Sequence, residues 1–207
     1  MKNIAIFASG NGTNAERIVT YFLEKKTANV SAIFCNNPKA YVLERAKRLN
    51  VPTIVFNRND FYHSNLIMEQ LQSLRTDLIV LAGFLWLMPQ NMVERYANRI
   101  INIHPALLPK YGGKGMYGEH VHEAVVANHE TESGITIHYV NEQYDSGDII
   151  FQARCQVAAT DTPDDVAAKI HELEQAHFPL VIEQVVNTLE KTCTSIFSNT
   201  KAQATTL

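Results

Sequence analysis

Over its first hundred residues the chain alternates short apolar runs with longer segments of helical period. IAIFA (Ile4 to Ala8) leads into an amphipathic stretch from about Thr13 to Lys26, and VSAIFC (Val30 to Cys35) leads into Lys39 to Leu49. TIVF (Thr53 to Phe56) precedes a helical stretch from about Phe61 to Leu74. Then come DLIVLAG (Asp77 to Gly83), a short segment opening near Pro89, and RIINI (Arg99 to Ile103). Runs that are apolar at consecutive positions are buried on both faces, so their repetition with helices between them predicts βαβ units on a doubly wound, mostly parallel sheet. GITIHYV (Gly134 to Val140) alternates, and DIIFQARCQV (Asp148 to Val157) follows after a turn-rich gap, which predicts an antiparallel extension. Thr162 as N-cap, Pro163 in the first turn and Asp164 and Asp165 at the positive end of the dipole open a long C-terminal helix, whose pattern continues to about Glu190. The expectation is an α/β, Rossmann-like fold over residues 1–190 as one domain. The polar segment from Lys191 to Leu207, with only Ile196 and Phe197 large and apolar, is expected to be a flexible tail.

Composition narrows the function. The chain has 207 residues, 46% hydrophobic and 19% charged, which is ordinary for a globular protein. A net charge of −3 without a basic stripe argues against a nucleic-acid partner. Cys35, Cys155 and Cys193 lack paired spacing, which suits a reducing compartment and excludes a disulfide framework or a four-cysteine zinc site. The apolar run after Met1-Lys2-Asn3 is too brief for a secretion signal and no stretch reaches membrane-span length, so a cytoplasmic protein with no membrane partner is expected. Monomer and homodimer both remain open.

Three stretches carry candidate chemistry. ASGNGTN (Ala8 to Asn14) joins the first strand to the first helix. Its small residues let backbone N–H groups of Gly10, Asn11, Gly12 and Thr13 approach a ligand, and the helix N-terminus favours an anion, which makes a phosphate-sized cradle. It departs from the dinucleotide fingerprint, because Asn14 stands where the third glycine region begins and no acidic residue ends the second strand near Cys35-Asn36. In INIHPALLP (Ile101 to Pro109), the proline holds His104 extended, so Asn102 and His104 share one face at the carboxyl end of a strand. In EQYDSGDII (Glu142 to Ile150), Asp145 sits in a turn-prone loop between the last two strands. Taken singly, each also fits a bland role: a turn that binds nothing, a polar strand end, an aspartate capping its own backbone. Thr136 and His138, on one face of the neighbouring strand, are candidate supports for Asp145. His120 and His122 form a His-x-His without a third ligand at a recognised spacing, which fits a solvated helix face better than a metal site.

SGNGTN, LAGFLWL, NIHPALLPKYGGKGMYG followed by VHEAV, and GITIHYVNEQYDSGDII stand in one order from about Lys2 to Leu189, and in this the chain resembles the folate-dependent phosphoribosylglycinamide formyltransferase family. The resemblance implies formyl transfer from 10-formyltetrahydrofolate to the amine of N1-(5-phospho-D-ribosyl)glycinamide in purine synthesis, with no metal. It puts Asn102, His104 and Asp145 at the catalytic positions, and Gly10, Asn11, Gly12 and Thr13 around the phosphate. Glu174 falls at the glycinamide or ribose end. Leu85, Trp86, Leu87, Met88, Val140, Asn141 and Tyr144 fall along the folate. The first hundred residues would then be the phosphate-binding half and 101–190 the catalytic and folate-binding half. Trp86 stands where some members carry a basic residue, and GGKGMYGEH is longer than in short-loop members, its four glycines suggesting flexibility.

An amine attacking a formyl carbonyl passes through a tetrahedral intermediate whose oxygen turns negative, so the site needs hydrogen-bond donors and a route for a proton. Asn102 and an imidazolium His104 donate, and the Asp145 carboxylate favours the charged ring. The rival readings are a formyltetrahydrofolate deformylase, which usually carries an extra N-terminal regulatory domain for which the chain has no room, and a methionyl-tRNA formyltransferase, which usually carries an RNA-binding domain and a basic surface. A non-catalytic nucleotide-binding module explains the glycine loop but not the three polar residues together.

Overall fold

The computed structural model describes residues 1–202, with side chains through residue 189. Seven strands form one sheet in the order β3-β2-β1-β4-β5-β6-β7. β1 (Lys2–Ala8), β2 (Ala28–Cys35), β3 (Thr53–Val55), β4 (Leu78–Leu81) and β5 (Ile100–His104) are mutually parallel, while β6 (Glu132–Tyr139) and β7 (Ile149–Gln156) run antiparallel at one edge. The expected doubly wound sheet with an antiparallel extension is therefore the observed one.

The alternation of β1 shows how the layers are built. Ile4, Ile6 and Ala8 face one apolar layer with α1 (Thr13–Lys25), α2 (Val42–Arg48), α6 (Glu119–Ala127) and α7 (Pro163–Ala202). Ala5 and Phe7 face the other, with α3 (Arg58–Tyr62), α4 (Leu66–Ser73) and α5 (Gln90–Arg95). In that second layer Phe7 stacks on Phe34 at 4.7 Å between ring centroids. α7 starts as its sequence dictates: Thr162 Oγ1 accepts from Asp165 N at 3.2 Å, and Asp165 Oδ2 accepts from Thr162 N at 2.9 Å. The flexible tail expected over 191–207 lies outside the described side chains and, from residue 203, outside the described residues altogether.

The single helix expected over Phe61 to Leu74 is two helices. Asn57 and Asp60 form a reciprocal capping box that starts α3 earlier than the apolar pattern does. Ser64 then ends one helix and opens the next, its hydroxyl donating to Asp60 O at 2.9 Å and accepting from Leu66 N at 3.2 Å.

Strand order sets the site. The chain runs outward from β1 to β2 and β3, then returns to place β4 on the opposite flank of β1, so the connections after β1 and β4 diverge and open a crevice at the carboxyl edge. The two loops are tied at its base, where Ser9 N donates to Gly83 O at 3.0 Å and Leu85 N donates to Ser9 Oγ at 3.1 Å.

Candidate active site

The crevice is a cavity of about 1090 Å³, and Asn102, His104, His138 and Asp145 line one part of it. Antiparallel pairing of β5 with β6 sets Asn102 opposite His138 and His104 opposite Thr136, so all four side chains share a face. The loop after β6 returns Asp145 to this face in a left-handed conformation, φ +51°, which Asp tolerates better than most residues. Its carboxylate is the hub. Oδ1 lies 3.6 Å from His104 Nδ1, 3.6 Å from His138 Nε2 and 3.4 Å from Asn102 Nδ2, while Oδ2 accepts from Gly113 N at 3.0 Å.

Carbonyl partners decide the proton positions, because a carbonyl oxygen only accepts. His104 donates Nε2–H to Tyr111 O at 2.7 Å, so its Nδ1 is the nitrogen that faces Asp145. His138 donates Nδ1–H to Tyr139 O at 2.8 Å, so its Nε2 accepts from Asn102 Nδ2 at 3.1 Å and fixes which way that amide points. Thr136 takes a different part from the one expected. Its hydroxyl braces the turn after His104, donating to Ala106 O at 2.7 Å and accepting from Leu108 N at 3.0 Å.

Burial revises the electrostatics. His104 is 3% exposed, and the loss of hydration pushes its pKa below the ordinary value of 6.5, against the opposing pull of Asp145 and the Tyr111 carbonyl. The ring rests neutral, not as the imidazolium that the sequence suggested. Burial pushes Asp145 upward, but the neighbouring His138 and His104 rings and the Gly113 N–H together outweigh that and hold it below the ordinary carboxylate value, so it is ionised at neutral pH.

Gly10, Asn11, Gly12 and Thr13 line the far end of the cavity at the N-terminus of α1, where the N-cap Gly12 supplies no side-chain cap. Gly12 has φ +79°, and a Cβ there would sit 2.4 Å from Val42 Cγ2. Arg45 braces the loop from outside, donating Nε–H to Asn11 O at 2.9 Å. Glu174 of α7 is 7% exposed, and its Oε2 accepts from Asn14 Nδ2 at 2.8 Å and from His171 Nδ1 at 3.0 Å. Leu85, Trp86, Leu87, Met88, Val140 and Tyr144 line the third part of the cavity. Asn141 does not. Its Oδ1 accepts from Gln143 N and Ser146 Oγ, both at 2.9 Å, so it caps its own turn instead of facing a ligand.

Four contributions escaped the sequence reading. Gly113, at φ +98°, lends its N–H to Asp145; the doubled glycine Gly112-Gly113 was the available signal. Tyr111 acts through its carbonyl, which no side-chain pattern reveals. Arg58 lies over the Trp86 ring at 5.0 Å, returning a cation to the place where the resemblance left none. His122 was read as part of a solvated helix face together with His120. It is instead 7% exposed and lines the cavity, because at one residue past the buried Val121 it faces α7, while His120 points outward.

This fold with an Asn-His-Asp group at its carboxyl edge defines a formyl transferase, and the model of the formyl transferase family matches residues 2–182. A phosphoribosylglycinamide formyltransferase of Bacillus subtilis is 37% identical over 191 residues, covering 90% of this chain and 95% of its own. One of Arabidopsis thaliana, described as chloroplastic, is 36% identical over 187 residues, covering 87% of this chain and 64% of its own. The crystal structure of glycinamide ribonucleotide transformylase 1 from Symbiobacterium toebii superposes with a TM-score of 0.83 at 31% identity, covering 91% of this chain and 89% of its own. The chain belongs to the phosphoribosylglycinamide formyltransferase family.

Proposed function

We propose that the protein transfers the formyl group of 10-formyltetrahydrofolate to the amine of N1-(5-phospho-D-ribosyl)glycinamide, within the synthesis of the purine ring. The observation that carries this reading is that one continuous cavity holds both the Asn102–His104–Asp145 group and the phosphate-sized cradle at Gly10 to Thr13. Its volume of about 1090 Å³ exceeds what a single small ligand needs and suits two reactants side by side. The trio alone suits water as acceptor equally well, but a hydrolase acting on the formyl donor has no use for a phosphate anchor.

In the reaction a C–N bond forms between the amine and the formyl carbon, the bond from that carbon to the folate nitrogen breaks, and one proton passes from the amine to the leaving nitrogen. Asp145, ionised at neutral pH, takes the amine's proton directly or through one water. His104 Nδ1 faces the same carboxylate and becomes imidazolium when the proton arrives there, so the positive charge appears as the carbonyl oxygen turns negative. Asn102, one Nδ2–H tethered to His138, has its other Nδ2–H held toward Asp145 only weakly at 3.4 Å and offers that one to the oxygen. Glu174 receives the glycinamide or ribose end. Leu85, Leu87, Met88, Val140 and Tyr144 hold the folate rings, and Arg58 on Trp86 meets the carboxylates of its glutamate tail. In this division of labour, residues 1–100 anchor the phosphate and 101–190 supply the chemistry, within one domain. No helix among the described residues is long and apolar enough to cross a membrane, and the cytoplasm is the compartment that best suits the free Cys35 and Cys155.

The test is an assay with labelled formyl donor, run with and without the glycinamide nucleotide. Label should appear on the nucleotide amine, and donor consumption should depend on the nucleotide. Rapid release of free formate without nucleotide, and no labelled nucleotide in its presence, would contradict the reading.

A further inference from the structure

His122 Nδ1 is buried with no hydrogen-bond partner. Leaving a buried ring nitrogen unpaired costs free energy, and native proteins keep such groups where something else satisfies them. The atom belongs to a side chain that lines the cavity, on α6, which packs against α7. Facing it are Glu174 and His171 of α7, and across α7's contact with α1 stand Asn14 and Thr13, with Thr13 Oγ1 3.5 Å from His171 Nε2.

Glu174 lies between the two ends of the cavity. It is bonded to Asn14 beside the cradle, and its charge reaches His104 at the trio. A substrate with its phosphate on the cradle and its amine at His104 must lay its sugar across this middle ground. There a carboxylate, which only accepts, takes the O–H of one ribose hydroxyl. A neutral imidazole has one donor and one acceptor and pairs with a hydroxyl whichever nitrogen carries the proton. Burial, the largest influence on His122, does keep its ring neutral, with Glu174 pulling its pKa up and His171 pushing it down.

We propose that His122 and Glu174 together read the vicinal hydroxyls of the acceptor's ribose, making His122 a determinant of ribose over deoxyribose. The inference rests on the acceptor reading given above and deepens it.

The test measures nucleotide binding by calorimetry without formyl donor, so it does not depend on turnover. Wild-type protein, His122→Ala and His122→Gln are titrated with the glycinamide ribonucleotide and with its 2′-deoxy and 3′-deoxy analogues. His122→Ala should bind the ribonucleotide about tenfold more weakly, the size of one hydrogen bond, yet bind one of the two deoxy analogues as well as wild type does. His122→Gln, which keeps a donor and an acceptor, should recover part of the loss. In steady state the nucleotide KM should rise with kcat held. Because the nitrogen is unpartnered, a further variant, His122→Phe, should melt no lower than wild type. A loss shared equally by the ribonucleotide and both analogues, or no loss at all, overturns the proposal even if wild type transfers formyl normally. Diol-dependent binding without formyl transfer leaves it standing and sinks the acceptor reading instead. A wild-type protein that binds no nucleotide overturns both.

Discussion

His104 donates its Nε2–H to the carbonyl oxygen of Tyr111 at 2.7 Å, and this one bond settles which nitrogen of the ring is left for chemistry. With Nε2 committed, only Nδ1 can exchange a proton with Asp145 or the substrate. His104→Ala and Asn102→Ala should therefore each fold and bind substrate but lose on the order of a hundredfold or more in kcat, the usual cost of an oxyanion donor. Steady-state kinetics on folded, purified variants checks this. Turnover near wild type in either would remove that residue from the mechanism.

Asp145→Asn keeps the side chain's size and tolerance of the left-handed backbone while removing its charge. Because that charge pulls the His104 pKa upward against burial, the variant should lower the pKa further. The limb of the pH–rate profile that follows His104 should move to lower pH, with a large fall in kcat. NMR titration of the ring gives the direct reading, and an unchanged or raised pKa would contradict the pairing.

The cradle is best probed at Gly10, not at Gly12. A side chain at Gly12 meets Val42 at 2.4 Å on a backbone of φ +79°, so Gly12→Val would damage the fold whatever it did to binding. A Cβ at Gly10 meets nothing within 4 Å. Gly10→Val should keep the melting temperature within a few degrees and raise the nucleotide KM about tenfold or more by blocking close approach of the phosphate to the backbone. Inorganic phosphate should compete with the nucleotide in wild type and more weakly in this variant.

His138→Leu tests whether the Asn102 amide needs its tether. Losing the 3.1 Å bond to His138 Nε2 leaves Asn102 free to turn, and kcat should fall about tenfold while both KM values hold. An equal fall in wild-type and Asn102→Ala backgrounds would show that His138 acts by another route.

Acid should weaken the fold before carboxylates titrate. His104 and His122 both have folded-state pKa values pushed below 6.5 by burial, so the unfolded chain binds more protons just under that pH. Their contribution to stability is complete above the unfolded value and declines as pH drops toward the folded ones. His171, raised by its hydrogen bond to Glu174, acts with the opposite sign but is exposed on 57% of its side chain, so solvent screens it. The melting temperature should fall between about pH 7 and about pH 5, and His122→Phe should fall less steeply than wild type. Equal slopes would mean that His122 is not buried as a neutral ring.

Much of this was legible because periodicity and chain order determine it. The apolar runs of β1, β2 and β4 needed both faces covered, which makes the parallel body, and the alternation of Gly134 to Val140 pointed to the antiparallel extension, although β6 itself is buried on both faces from Ser133 to His138. Asn102 and His104 were found because a strand places alternate residues together and Pro105 holds His104 extended. What stayed hidden depends on contacts that no periodicity records. The charge state of His104 turns on how deeply a ring is buried, the work of Tyr111 and Gly113 is done by backbone atoms, and the fate of Asn141 was settled by a turn it caps for itself. His122 was misjudged because a two-residue His spacing on a helix says nothing of which side faces a neighbour.

The register of β5 against β6 carries one more consequence. Asn102 faces His138 and His104 faces Thr136 across residues that leave the ribosome some thirty positions apart. While the chain is being made, the cradle at Gly10 to Thr13 and both members of the β5 pair exist before the strand that orients them and the loop that delivers Asp145. A nascent chain thus holds the proposed anion cradle before it holds the proposed catalytic group, which is complete only once β6 and the loop after it have followed.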